Sequence, residues 1–334
     1  MRDLRIGIIG AGSIVESNHL PAIRSLQRTT IAWIFDKNPR RTDLVSKMYG
    51  IPALAGEFPE EMLEQVDICL LATPYGTRKP YIDLCKKFRK CLVIEKPFAF
   101  SKEEHLDHCN GFEPWEIAVN FQRRYYRSVS TVGKIISSNI FGHLRSVDFL
   151  QGNFTLKGGS GYLSNAALAG GGVIAESASH ILDIILLVTG AQQVKLSQMK
   201  SLYLSGLDYD TVFDSSIETA GSKIPVHCEI STLRNLSNGL YLEFDHAFVS
   251  CDLSPEGKTF LRNKNNKGVE FSLFNESLYE GQFTQATRVN TAFLLFWQQL
   301  LDGIREKKPN RTSAYDSLLT SSWIGEIYKK INLS

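Results

Sequence analysis

Short apolar runs separated by amphipathic stretches fill the first 120 residues. Arg5–Ile9, Thr30–Phe35, Asp67–Ala72, Cys91–Ile94 and Glu116–Phe121 are each short, rich in β-branched or aromatic residues, and lack polar alternation, with a weaker run near Ile51–Leu54. Runs of that kind predict strands buried on both faces. Between them the spacing predicts helices over Pro21–Gln27, Pro39–Tyr49 and Lys79–Phe88. Buried strands alternating with helices, joined by right-handed crossovers, give a doubly wound α/β domain with a parallel sheet.

The alternation stops near Asn120–Tyr126. Beyond it, Leu144–Asn153, Pro225–Leu233, Gly239–Asp245 and Ala247–Leu253 read as strands grouped in one sheet, the first two with polar alternation. Val173–Val188 reads as a helix opened by Gly170–Gly172, and Thr287–Ile304 and Ser313–Ile331 read as two amphipathic helices. Strands together with helices to one side predict an α+β domain on an open, mainly antiparallel sheet. The expected division is 1–122 and 123–334.

A length of 334 residues fits two such domains. The net charge of +2 gives no pointer to nucleic acid or to an acidic membrane surface. Six cysteines without a CxxC pair read as reduced, buried thiols of a cytoplasmic protein. No apolar run reads as long enough to cross a bilayer, and no signal peptide is read at the amino terminus.

Candidate chemistry begins at Gly10-Ala11-Gly12-Ser13-Ile14-Val15, which follows an expected strand and opens an expected helix. In a dinucleotide fingerprint the first glycine makes the turn, the second admits the pyrophosphate, and the third position is small. Here the third is Val15. Asp36 ends the second strand, where a carboxylate can accept from both ribose hydroxyls; it can also serve as a turn or cap residue before Pro39. Lys37, Arg40 and Arg41 could meet a 2′-phosphate that Asp36 would repel, so NAD is favoured and NADP stays open. Glu16, an anion near an expected pyrophosphate, has no account at this level.

Lys96 lies just past the Cys91–Ile94 strand, at the end of the sheet where ligands bind, and Pro97 fixes its backbone. Glu176 and His180 are four apart on one helix, with Asp183 near the same stripe. They are read either as a surface ion pair or as a histidine base with a carboxylate holding its tautomer. The glycine run before that helix would let a substrate or nicotinamide approach the backbone. Arg123 and Arg124 could bind an anion or form a salt bridge between domains. His105, His108 and Cys109 have metal-like spacing but no completing ligand, so no metal is expected and the set reads as a solvated helix surface.

Several motifs in this order resemble the Gfo/Idh/MocA oxidoreductases: Gly10-Ala11-Gly12 with Ile14, His19-Leu20-Pro21-Ala22, Ala72-Thr73-Pro74, Glu95-Lys96-Pro97, and Gly170-Gly171-Gly172 leading to His180-Ile181-Leu182-Asp183. The resemblance implies a Rossmann domain, an open-faced α/β domain, and NAD(P)-dependent hydride transfer on a sugar, sugar derivative or cyclitol. It makes Lys96 and His180 catalytic and puts Glu176 with them, contacting the substrate or supporting His180. The cofactor set becomes Gly10, Gly12, Ser13, Ile14, Asp36, Thr73, Pro74, Glu95 and Lys96. Substrate would meet Lys96, Arg123, Glu176, His180 and Asp183. The chain departs from the family pattern at Tyr75, Arg78, Tyr162 and Glu176, which bears on the substrate. The other readings are an NAD-dependent glycosidase or lyase working by transient oxidation, and a non-catalytic ligand-binding relative. A homodimer or homotetramer is expected through the open sheet.

Overall fold

The computed structural model describes residues 3–154, 161–254, 257–265, 270–273 and 289–331. Its contacts form two compact units. The first comprises Met1–Phe98, Glu103–Gln122 and Thr284–Ser317; the second comprises Ala99–Lys102, Arg123–Phe283 and Leu318–Ser334. This grouping differs from a division into 1–122 and 123–334, because the helix Thr291–Glu306 returns to the first unit. An amphipathic helix goes where its apolar face is buried, whatever its place in sequence.

The first unit holds five parallel strands: β1 Leu4–Ile9, β2 Thr29–Phe35, β3 Ile68–Leu71, β4 Cys91–Ile94 and β5 Ile117–Val119, in the order β2-β1-β3-β4-β5. Their unbroken apolar sequences follow from burial on both faces, as in β3, where every side chain is inaccessible. The helix Pro39–Tyr49 has its start and stop written in sequence. The Asn38 side chain accepts from the Arg40 N–H, Pro39 sits in the first turn, and Gly50 ends the helix at φ 66°. Near Ile51–Leu54 only a single bridge forms, between Ile34 and Ala53. Pro52 has no N–H to extend a ladder.

The first helix starts where the glycine fingerprint places it, ahead of the span Pro21–Gln27 that the apolar spacing marks. It opens directly after Gly12 as a π-turn, Val15–His19, and continues as Leu20–Arg24. The polar run Glu16-Ser17-Asn18-His19 hides this start from that spacing, because His19 is a polar residue buried completely.

In the second unit an eight-stranded sheet comprises β6 Leu144–Gly152, β7 Gln193–Leu204, β8 Leu207–Glu218, β9 Lys223–Ser231, β10 Gly239–Phe244, β11 Ala247–Cys251, β12 Thr259–Asn263 and β13 Glu270–Leu273. Its order is β13-β12-β11-β10-β6-β9-β8-β7, and every pairing is antiparallel except β6 with β9. The β7–β8 hairpin, which sequence patterning does not reveal, turns at Ser205-Gly206, both at positive φ. Behind the sheet lie the helix Ile174–Ala178, again a π-turn, its continuation Ser179–Thr189, and Leu318–Ile331. The stretch Ala166–Thr189 is long and apolar enough to pass for a membrane span, contrary to the sequence reading. Two thirds of its apolar window is buried inside the protein, as suits a core helix.

Candidate functional site

In the first unit β1 delivers the chain to Gly10 at φ +108°, where a Cβ would stand 2.5 Å from the Ala72 carbonyl oxygen. Only glycine fits that turn. At Gly12 a Cβ would meet no atom within 4 Å, so the amino end of the first helix faces open space there. The first-turn N–H groups of any helix lack intrahelical acceptors and attract an anion. Val15, where the fingerprint asks for a small residue, is buried completely.

Asp36 closes the loop from the end of β2. Its Oδ2 accepts the Ala11 N–H at 2.6 Å and its Oδ1 accepts the Asn38 N–H at 2.8 Å. The turn role is therefore real, and each oxygen keeps a second acceptor site for a ribose hydroxyl. Arg41 grips the other side of Ala11: Nε and Nη2 donate to its carbonyl at 3.0 and 2.7 Å, and Nη2 reaches Glu16 Oε2 at 2.6 Å. Glu16 thus answers to Arg41. Thr73, just past β3, has a buried hydroxyl with no hydrogen-bond partner among the described residues. The open glycine, the strand-end carboxylate and this orphaned hydroxyl fit a bound dinucleotide.

Lys96 is seated by its neighbours' backbone and side chains. Glu95 Oε2 accepts the Lys96 N–H at 3.2 Å. The buried Arg78 guanidinium donates to the carbonyls of Glu95 at 2.5 Å, Pro97 at 2.6 Å and Thr73 at 2.9 Å. The Lys96–Pro97 peptide is cis. Arg78, a departure from the family pattern, is therefore a clamp on the lysine segment. Tyr75, the other departure in this loop, donates its hydroxyl to Glu104.

Glu95 was expected to meet the cofactor, but its visible partners are internal. Its Oε1 takes His19 Nε2 at 2.8 Å and Asn120 Nδ2 at 2.6 Å. Trp297 Nε1 donates to His19 Nδ1 at 2.9 Å. An indole N–H can only donate, so Nδ1 carries no proton and Nε2–H points at Glu95. Burial pushes the Glu95 carboxyl up, but hydrogen bonds from His19 and Asn120 and the Lys96 charge outweigh it and hold the carboxyl below its usual value. Sequence reasoning missed Asn120 and Trp297 as members of this set. His19 stood in a quoted motif without a role, and nothing local signals Trp297.

In the second unit the glycine run has a different purpose from the expected one. A Cβ at Gly171 would fall 2.0 Å from Tyr328 Oη, and one at Gly172 would fall 1.9 Å from the Asp208 carbonyl oxygen. The glycines admit protein. Asp208, buried on β8, accepts the N–H groups of Gly172 at 2.7 Å and Ile174 at 2.8 Å, and Tyr328 Oη bonds both Asp208 and the Ala175 N–H. This helix start is capped from within.

His180 is 4% exposed, whereas Glu176, four residues earlier in the π-turn, is exposed. The two therefore stand at different depths. Arg123 bonds Tyr126 and feels the Glu176 charge; burial lowers the guanidinium below its usual value, and both neighbours oppose that. Arg123 Nε is buried without a hydrogen-bond partner. Asp183, expected to meet substrate, is 1% exposed, and both its oxygens are taken by Arg124 at 2.5 and 2.7 Å. It is half of a buried ion pair with Arg124 inside the second unit, whereas the salt bridge expected of the arginine run is one between domains.

His105, His108 and Cys109 are buried, not on a solvated face. His105 bonds the Ala314 carbonyl, and burial pulls its pKa down to about 4. His108 Nδ1 bonds the Phe98 carbonyl. Among the described residues no group of three or more His, Cys, Asp or Glu is placed to hold a metal.

Residues 4–113 match the oxidoreductase family described as an NAD-binding Rossmann fold, GFO_IDH_MocA. The chain carries the Gfo/Idh/MocA Rossmann domain. The D-glucoside 3-dehydrogenase of Escherichia coli K12 is 21% identical over 196 residues, covering 58% of this chain and 56% of the relative. The alignments span about half the length of the first three curated relatives matched. Among solved structures, an aldose-aldose oxidoreductase from Caulobacter crescentus, complexed with glycerol, superposes with TM-score 0.83 at 18% identity, covering 99% of this chain and 98% of the other. A levoglucosan dehydrogenase in complex with NADH and levoglucosan gives 0.82 at 14% identity, with the same coverage. At such identities the superpositions show the fold, here along nearly the whole chain.

Proposed function

We propose that this Gfo/Idh/MocA-type protein is an NAD(P)-dependent oxidoreductase acting on a secondary alcohol of a sugar, sugar derivative or cyclitol, with NAD favoured over NADP. The observation that carries the reading is the open helix start at Gly12 beside Asp36 and the orphaned Thr73 hydroxyl. The similarity to D-glucoside 3-dehydrogenase and to a D-apiose dehydrogenase from Rhizobium rhizogenes, 24% identical over 201 residues, supports the substrate class. Gly10, Gly12, Ser13 and Ile14 would hold the pyrophosphate, Asp36 the adenosine ribose, and Thr73 and Pro74 the strand-end side of the cofactor.

When bound, the nicotinamide supplies the hydride acceptor or donor. His180 takes the hydroxyl proton as base. Lys96, its backbone fixed by Arg78 and Glu95, donates to the same oxygen and stabilises negative charge developing there. Arg123, with an unused Nε, and exposed Glu176 bind the rest of the substrate. The reading requires Lys96 and His180 to reach one substrate oxygen.

A screen of sugars, sugar phosphates, nucleotide sugars and inositols with both cofactors tests it. His180→Ala should lower turnover by roughly 10²–10⁴ while NAD affinity, read by calorimetry, is kept. Undiminished turnover would remove the histidine base. Substrate consumed without net NADH, by protein that retains cofactor through purification, would instead select transient oxidation in a glycosidase or lyase.

A further inference from the structure

Glu16 stands at the start of a helix whose amino end is read as an anion site, and its side chain is spent on Arg41. We propose that Glu16 is a specificity-determining residue: by holding Arg41 it keeps the guanidinium from a 2′-phosphate and so selects NAD against NADP. The inference rests on the cofactor reading above.

Arg41 lies on the helix Pro39–Tyr49, which begins three residues after Asp36. Asp36 takes the N–H of Ala11, and Arg41 takes the carbonyl of the same residue. Both side chains thus meet one loop residue, Asp36 at its N–H and Arg41 at its carbonyl, and Asp36 is where the adenosine ribose is read. A 2′-phosphate is best bound by the two-pronged face of an arginine. Arg41 has Nε and Nη2 engaged with Ala11 and Glu16, so that fork is in use. Glu16 also brings a second negative charge to the Arg41 guanidinium's surroundings, which opposes a phosphate there further. Lys37 and Arg40, the remaining cations of the turn, are exposed.

Removing the Glu16 charge leaves Arg41 on neutral oxygens only, the Ala11 carbonyl and the glutamine amide, which a phosphate can outcompete. The backbone should survive the change, because the Tyr49 hydroxyl donates to the Glu16 carbonyl at 2.7 Å, independently of its side chain. A purely structural role for the pair predicts something else: loss of the bond would loosen the loop and weaken both cofactors together.

The test is calorimetric titration of NAD and of NADP into the wild type, Glu16→Gln, Glu16→Asp and the double variant Glu16→Gln with Arg41→Ala. In Glu16→Gln the Kd ratio of NADP to NAD should fall about tenfold or more, the scale of one hydrogen bond to a charged group. The double variant should restore the ratio, since the gain needs Arg41. Glu16→Asp, with a shorter reach to Arg41, should shift the ratio in the same direction by less, and it serves if the glutamine variant does not fold. NAD binding with an unmoved ratio, or equal weakening of both cofactors, overturns the inference alone. A wild type that binds neither cofactor overturns the cofactor reading with it.

Discussion

At Gly12 a Cβ would touch nothing, whereas at Gly172 it would collide with backbone 1.9 Å away. Both glycines precede helices that open with a π-turn. The helix after Gly12 leaves its amino end to solvent or a ligand. The helix after Gly172 has its first N–H groups taken by a buried carboxylate and a tyrosine hydroxyl. A glycine records only that a side chain is unwelcome, and what stands in its place decides between a binding site and a packing contact.

The second region should therefore answer to substitution through stability. Asp183→Asn strands the buried Arg124 charge and should cost about 3–5 kcal/mol, read as a drop in the urea midpoint. Retained stability with a raised KM would return Asp183 to the substrate. Gly172→Ala should cost on the order of 1–3 kcal/mol, because the atom in its way is backbone. That is a fall of several degrees in thermal midpoint, about 2–4 °C per kcal/mol for a unit of this size.

Gly12→Ala reverses the pattern. The thermal midpoint should stay put, while NAD binding weakens by about tenfold to a hundredfold if the pyrophosphate needs that space. Loss of stability with undisturbed binding would erase the contrast between the two loops.

The smallest effect concerns pH. The Glu95 carboxyl is held below its unfolded value of about 4.3. Its contribution to stability is complete above that value and is lost as pH falls through the lower folded one. Stability measured against pH in acid should slope less in Glu95→Gln. An equal slope would mean that His19 and Asn120 do not stabilise the ionised form.

The parallel sheet was legible because strands buried on both faces carry their periodicity locally. Pro39–Tyr49 was legible through its own caps. The β7–β8 hairpin was not, because most of β7 is exposed or half-buried and carries little apolar alternation. In the site, the lysine loop and the first glycine turn could be read from short motifs. The clamp by Arg78 and the chain from Trp297 through His19 to Glu95 could not. They join residues far apart in sequence, and each alone looks like an ordinary arginine, tryptophan or histidine. Asp183 misled for a related reason: helical spacing gives its stripe but not the arginine that meets it.

The bond from Trp297 to His19 spans 278 positions. At synthesis rates of 5–20 residues per second, His19 waits on the order of 10–60 s on the ribosome before its acceptor nitrogen can be matched. Phe293 and Trp297, whose rings meet the imidazole edge-on, arrive on the same late helix. The nucleotide-binding half is first to emerge and among the last to be finished. A nascent chain halted at residue 122 would hold all five parallel strands, yet the histidine edge that Phe293 and Trp297 cover would lie open to water.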